Sequence, residues 1–277
     1  MSLFRQLQNT KKLAMEIGYP ASFRFGLSYL WCKISSSKKG RVRTLPVGPY
    51  RFSFENRDDF IGLFTEIFIK EAYVLGRTQE AISIIDCGAN IGVSLLYFKL
   101  RAPASRVVCF EPNPSARELL EKNILANNWG ESVTVLPYAL GAEKGTANLY
   151  LKATTTSGSD ASVANYFESE KGAVATIPID VVTLSSYISK PVDLLKIDIE
   201  GPELSVLEEL VSTGNIQHVS MIQMEYHYIK NHFTRPLSDL LTLLEQQGFS
   251  TFVESIASPH HVVLKNTNHA YMVFAWR

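Results

Sequence analysis

The stretch Ile82-Ser83-Ile84-Ile85-Asp86-Cys87-Gly88-Ala89-Asn90-Ile91-Gly92 decides the fold of this chain. It opens with a short, mostly β-branched apolar run, the pattern of a strand buried on both faces of a parallel sheet. Asp86 ends that strand. Gly88 and Gly92 bracket a tight turn, and Asn90 between them tolerates left-handed backbone better than most residues. Val93 to Leu100 then reads as a helix. Strand, glycine turn and helix form the crevice in which a doubly wound α/β fold holds a nucleoside-bearing cofactor. The next strand, Arg106-Val107-Val108-Cys109-Phe110, ends in Glu111, whose carboxylate can accept hydrogen bonds from both ribose hydroxyls. Asn113, just past it, joins the cofactor set.

What the turn lacks selects the cofactor. A pyrophosphate-binding turn needs G-x-G-x-x-G, so that backbone N–H groups can approach the phosphates. Gly88 and Gly92 are instead spaced G-x-x-x-G, with Asp86 two positions before the first glycine. That suits a ligand carrying an ammonium and a sulfonium, and the expected cofactor is S-adenosylmethionine. The alternatives are an NAD site or a glycine turn without a ligand.

Composition narrows the class. The 277 residues are 46% hydrophobic, enough for one large α/β domain with an extension. Net charge is zero but unevenly spread: residues 1–51 carry ten Lys/Arg against Glu16 alone, a surplus of nine. The remainder therefore carries a matching deficit of nine. A basic region of this kind is either a solvated arm or a peripheral contact with an anionic surface. Cys32, Cys87 and Cys109 cannot all pair, and the last two fall in the cofactor turn and a central strand. Reduced thiols and a cytoplasmic setting are expected. Glu16, Pro20 and Arg24 interrupt the one N-terminal apolar segment, which leaves no membrane span and no convincing signal peptide.

The rest of the chain alternates strands and helices. Residues 1–35 read as helical pieces, Tyr50 to Phe54 as a strand, and Asp58 to Tyr73 as a helix with Phe60, Ile61, Phe64, Ile67 and Phe68 on one side. Residues 1–78 are read as a basic, helical N-terminal cap and 79–277 as the catalytic domain. After Glu111, the proline at Pro114 and the Ser115-Ala116-Arg117-Glu118 capping pattern start a helix running to Asn127. Val133 to Leu136 is a third strand, and the loop after it brings Ala139 toward the cofactor's base. Ala147 to Lys152 reads as an extra strand. A Thr/Ser/Gly-rich insertion spans about 153–175 and is read as a substrate-side segment. Thr176 to Val182 resumes as an edge strand marked by Pro178.

A second stretch carries the chemistry: Val192-Asp193-Leu194-Leu195-Lys196-Ile197-Asp198-Ile199-Glu200-Gly201-Pro202-Glu203. As a fourth strand it projects Lys196, Asp198 and Glu200 to one side. Charges in a central strand are costly unless they pair or serve a site. An ion pair between Lys196 and Asp198 is the plain structural reading of the first two. Val219 to Glu225 is a fifth strand, and His227 just beyond it is a candidate base on the same rim as Asp198. Pro236 to Gln247 is an amphipathic helix. Phe249 to Glu254 and Ala270 to Trp276 are the last strands, the final one antiparallel.

Five blocks, in this order, resemble the FkbM-type methyltransferases: Asp86 to Gly92, Phe110-Glu111-Pro112, Ala139-Leu140-Gly141, Lys196 to Glu203, and Glu225-Tyr226-His227. The resemblance covers about residues 58–277 and departs at Pro202, where alanine is more usual. It implies a Rossmann-like class I methyltransferase fold with a seven-stranded, mostly parallel sheet. It also implies S-adenosylmethionine as methyl donor and an alcohol oxygen on a sugar, glycan or natural product as acceptor. In-line transfer then needs positioning, worth roughly 7–11 kcal/mol, and a base worth about 10²–10⁴ in rate. Asp198 or His227 is the expected base, with Glu200 and Lys196 orienting the acceptor. The cofactor set is Asp86, Gly88, Asn90, Gly92, Glu111, Asn113 and Ala139. Carboxylates such as Asp198, Glu200 and Glu225 can hold Mg²⁺, but no metal is assigned. The aromatic-proline motif of exocyclic-amine methylation is absent, so no nucleic-acid acceptor is expected. A protein asparagine amide as acceptor, and a non-catalytic cofactor-binding subunit, are the alternatives.

Overall fold

The computed structural model describes residues 42–152, 161–163, 174–229, 231–256 and 269–277. The helical pieces read over 1–35, most of the basic arm and most of the 153–175 insertion lie outside these residues. The described chain begins with an antiparallel hairpin, β1 (Arg43–Val47) and β2 (Tyr50–Phe54). Helix α1 (Arg57–Phe64) follows, with the Asn56 side chain accepting from the N–H groups of Asp58 and Asp59 at its start.

The main sheet has seven strands in the order β12-β13-β11-β10-β3-β4-β5. These are β3 (Ser83–Cys87), β4 (Arg106–Phe110), β5 (Val133–Leu136), β10 (Val192–Ile197), β11 (Val219–Tyr228), β12 (Ser250–Ser255) and β13 (His269–Trp276). β3 lies between β10 and β4 and runs parallel to both, whereas β13 is antiparallel to β11 and β12. Strand order reverses between β3 and β10, which opens a crevice at their carboxyl ends. The expected seven strands and antiparallel last strand are both present.

Helices cover both faces. On one, α2 (Val93–Arg101) and α3 (Pro114–Ala126) join the hairpin and α1 in a single apolar cluster. On the other, α4 (Glu203–Ser212) and α5 (Leu237–Gln246) pack through Leu207, Leu210, Leu240 and Leu244. Asn113, not Ser115, caps α3: its side chain accepts from the Ser115 N–H (3.1 Å), and Pro114 takes the first helical position. None of the described helices is long and apolar enough to cross a membrane.

Two devices fix the hairpin to the domain. Phe54 and Phe60 stack at 4.3 Å, Phe64 and Phe68 at 4.3 Å, and Phe68 meets Tyr97 of α2 edge-on at 5.5 Å. Along α3, Asn123 and Asn127 sit one turn apart and serve alternate residues of β2. Asn123 accepts from Ser53 N–H (2.6 Å) and donates to its carbonyl (3.0 Å). Asn127 does the same for Arg51, at 2.8 and 2.7 Å. The side-chain amides thus stand in for a neighbouring strand.

Two expectations are corrected. The helix expected over Asp58–Tyr73 ends early: a π-helical turn, Thr65–Ile69, follows α1, and the backbone turns left-handed at Glu71 (φ 59°). The fourth strand stops at Ile197. Glu200 (φ 60°) and Gly201 (φ 139°) form a left-handed turn, so Lys196, Asp198 and Glu200 do not share a strand face. A second sheet, order β6-β9-β7-β8, lies beside the crevice and comprises β6 (Ala139–Leu140), β7 (Gly145–Lys152), β8 (Ala161–Ser162) and β9 (Val174–Val182). β9 lies between β6 and β7 rather than at the edge expected from Pro178, but β6 reaches only Val181 and Val182, so among the described residues no strand pairs with Pro178 on that side.

Candidate active site

The crevice deepens into a cavity of about 430 Å³, within the size range of small-molecule sites. Gly88, Ala89, Asn90, Glu111, Ala139, Lys196, Asp198 and Glu200 line it together with Tyr73, Glu66 and Glu225. Asp86, Gly92, Asn113 and His227, also expected at the site, lie behind this lining.

The glycine turn is shaped by three left-handed residues, Gly88 (φ 81°), Asn90 (φ 50°) and Gly92 (φ 92°). Gly88 and Ala89 N–H both donate to the Phe110 carbonyl at 3.0 Å, which ties the turn to the end of β4. A Cβ on Gly88 would stand 1.8 Å from the Asp198 carbonyl oxygen. Gly88→Ala therefore combines left-handed strain with a backbone clash, a cost of about 2–5 kcal/mol. We expect a clear drop in thermal midpoint and loss of cofactor binding, and a variant that melts and binds like the parent would refute this packing.

Beneath the turn lies a buried ion pair. Asp86 is fully buried, accepts from the Ser94 hydroxyl (2.6 Å), and meets the Lys196 ammonium at 3.1 Å. Lys196 also donates to the carbonyls of Gly88 (2.7 Å) and Cys87 (3.1 Å), with Asp198 Oδ2 at 3.7 Å. Burial depresses the lysine's pKa, but Asp86 and then Asp198 outweigh burial and hold it above its ordinary value. Lys196 is thus a fixed cation that locks the cofactor turn onto β10.

Glu111 presents its carboxylate to the cavity from the end of β4. Its two oxygens accept from Asn90 N–H (2.7 Å) and Asn113 N–H (2.8 Å), leaving further lone pairs for a ligand. Burial raises its pKa to about 7, partly offset by those two N–H groups.

His227 stands within β11, which runs three residues past Glu225, to Tyr228. Its Nδ1 is 2.9 Å from Glu203 Oε1, and its Nε2 lies 3.5 Å from Glu200 and 3.4 Å from Glu225. Burial lowers its pKa, but Glu200, then Glu203 and Glu225, reverse the sign and hold it well above the usual imidazole value. The neighbouring carboxyl groups thus favour its protonated, charged form. Ligand atoms of Asp198, Glu200 and His227 fall within 4.8 Å of one another, and a metal there would displace that proton.

Sequence reading missed Glu66, Glu203, Gln223 and Tyr73. Glu66 lies on the π-helical turn, and burial, with Glu225 and Asp198 nearby, lifts its pKa from 4.5 to about 7. Between those values the folded state keeps a proton that the unfolded chain has released, so this contribution to stability declines as pH rises. The apoprotein's thermal midpoint, compared at pH 5 and pH 7.5, should therefore fall less for Glu66→Gln than for the parent. An equal fall in both proteins would contradict the assignment. A π-turn flanking a cavity was the one available signal, because such turns are frequent at functional sites, but the sequence does not reveal it.

The strand order, the crevice at the β3–β10 reversal and the glycine turn define a class I methyltransferase fold. Residues 86–251 match the FkbM methyltransferase domain, more than half of the chain. The chain belongs to the FkbM methyltransferase family and is an S-adenosylmethionine-dependent enzyme. It is 28% identical over 206 residues to Methyltransferase 1 of Beauveria bassiana (strain ARSEF 2860), covering 68% of this chain and 80% of that one. It is 26% identical over 178 residues to Methyltransferase sdnD of Sordaria araneosa, covering 53% and 67%. In fold it resembles the crystal structure of methyltransferase FkbM from Methylobacillus flagellatus KT, with TM-score 0.50 and 16% identity over 77% of this chain. This chain spans about half of that protein, 48% of its length.

The cavity fits the cofactor on its own chemistry. It offers the Glu111 carboxylate with lone pairs to spare, an apolar wall from Phe110, Tyr138 and Leu140, and a turn too tight for side chains at Gly88.

Proposed function

We propose that this enzyme methylates a hydroxyl oxygen of a sugar, glycan or natural product, with Asp198 as the general base. One observation carries the reading: Asp198 is the carboxylate at the carboxyl end of β10 that meets both the glycine turn and the cavity. Its N–H donates to the Cys87 carbonyl (3.1 Å), and its side chain is 25% exposed where Lys196 is 2% and Asp86 0%. When bound, S-adenosylmethionine supplies a methyl group already activated on sulfonium. Gly88, Asn90, Glu111 and Ala139 would hold it. Asp198 takes the proton from the acceptor hydroxyl as the oxygen is alkylated. His227 lies behind the cavity lining, and carboxyl neighbours that favour its protonated form make it a poor acceptor for that proton. It serves by holding Glu200 and Glu225 in place toward the acceptor.

Asp198 and Glu225 on the lining disfavour a polyanion, which supports a small molecule or glycan over a nucleic acid. The described thiols, Cys87 and Cys109, are buried and unpaired, which supports a reducing, cytoplasmic location.

The test uses methyl-labelled S-adenosylmethionine with fractionated extract from the source organism. Label should enter glycan or small-molecule fractions, and Asp198→Ala should transfer none. Label in a protein band would replace the hydroxyl by an amide acceptor. Transfer by Asp198→Ala would remove Asp198 from the role of base.

A further inference from the structure

Tyr73 lies in an irregular segment between the π-helical turn and β3, outside every motif of the sequence. Two core elements hold its backbone. Tyr97 of α2 donates its hydroxyl to the Tyr73 carbonyl (2.9 Å) and accepts from Leu75 N–H (3.3 Å). Gln223 of β11, fully buried, accepts from Val74 N–H (2.9 Å) and donates to the Val74 carbonyl (2.5 Å). Three consecutive residues are thus pinned across the rim of the sheet. The ring they deliver is 4% exposed, lies 5.8 Å from the Lys196 ammonium, and borders the cavity. Its hydroxyl donates to Asp198 Oδ2 at 3.3 Å.

We infer that Tyr73 is a positioning residue for methyl transfer: its phenol and Lys196 fix Oδ2 of Asp198, so that Oδ1 faces the acceptor hydroxyl. This rests on Asp198 being the base. A phenol suits the task because it is rigid, aromatic on its buried side and a donor at its tip. It stays protonated here, since burial and the neighbouring Asp198, Glu225, Asp86 and Glu66 all raise its pKa. The 3.3 Å separation is long for a bond to a carboxylate, as apo catalytic hydrogen bonds often are before substrate tightens them.

The hydrogen bond itself is tested without an acceptor. Carbon NMR of protein labelled at the aspartate carboxyls follows Asp198, its signal identified by its loss in Asp198→Asn. At one fixed pH, Tyr73→Phe should displace that signal, because the donor to Oδ2 is gone. Affinity for S-adenosylmethionine should stay within about twofold, because the ring is kept. Tyr97→Phe, which frees the Tyr73 carbonyl, provides a second variant if the first does not fold, and it should displace the signal the same way. An unmoved signal overturns the inference. A displaced signal together with methyl transfer by Asp198→Asn would instead overturn the choice of base and leave the hydrogen bond standing.

Discussion

Lys196→Met should destabilise the protein by about 3–5 kcal/mol, because it leaves Asp86 as an uncompensated charge in the core. The lysine cannot be replaced by solvent: Asp86 is fully buried, and its remaining partner, the Ser94 hydroxyl, is neutral. The Gly88 carbonyl loses the lysine donor in the same step, whereas the Cys87 carbonyl keeps the Asp198 N–H. Denaturant unfolding measures the loss. The double variant Asp86→Asn with Lys196→Met should recover a large part of it, since the charge itself is then gone. A loss under about 1 kcal/mol in the single variant would mean that water reaches the pair, contrary to the burial described.

Asp198→Asn should lower turnover by about 10²–10⁴, the range of general-base assistance, while leaving affinity for S-adenosylmethionine nearly unchanged. Asparagine keeps the volume and the Tyr73 contact but cannot take a proton at neutral pH. Calorimetric titration with the cofactor and a single-turnover label assay separate binding from chemistry. A parallel loss of cofactor affinity would assign Asp198 to the donor site instead.

The central sheet was legible because it is written in local pattern. The runs ending at Asp86 and Glu111 are short, apolar and followed by turn residues, and the blocks from Asp86 to His227 fall in the order of one known family. The second carboxylate stretch misled for an equally local reason. Lys196-Ile197-Asp198-Ile199-Glu200 alternates as a strand would, but Glu200 and Gly201 adopt left-handed backbone that lets Phe233 approach. A Cβ on Gly201 would lie 2.1 Å from that ring. His227 looked like a free base because charge neighbours cannot be read from spacing. Glu203, 24 positions away, meets it only once α4 packs beside β11. Tyr73, Gln223 and the paired asparagines of α3 were silent for the same reason, since each acts on backbone far away in sequence.

The cavity wall is drawn from two lengths of chain. The family-matched region, 86–251, supplies the glycine turn, Glu111 and Asp198, whereas Asp58, Asp59, Leu63, Glu66, Ile67 and Tyr73 come from before it. That earlier length also sends Phe60, Phe64 and Phe68 into the core against α2, so the wall it builds is fastened to the sheet and a change on its cavity side is felt by the packing behind it.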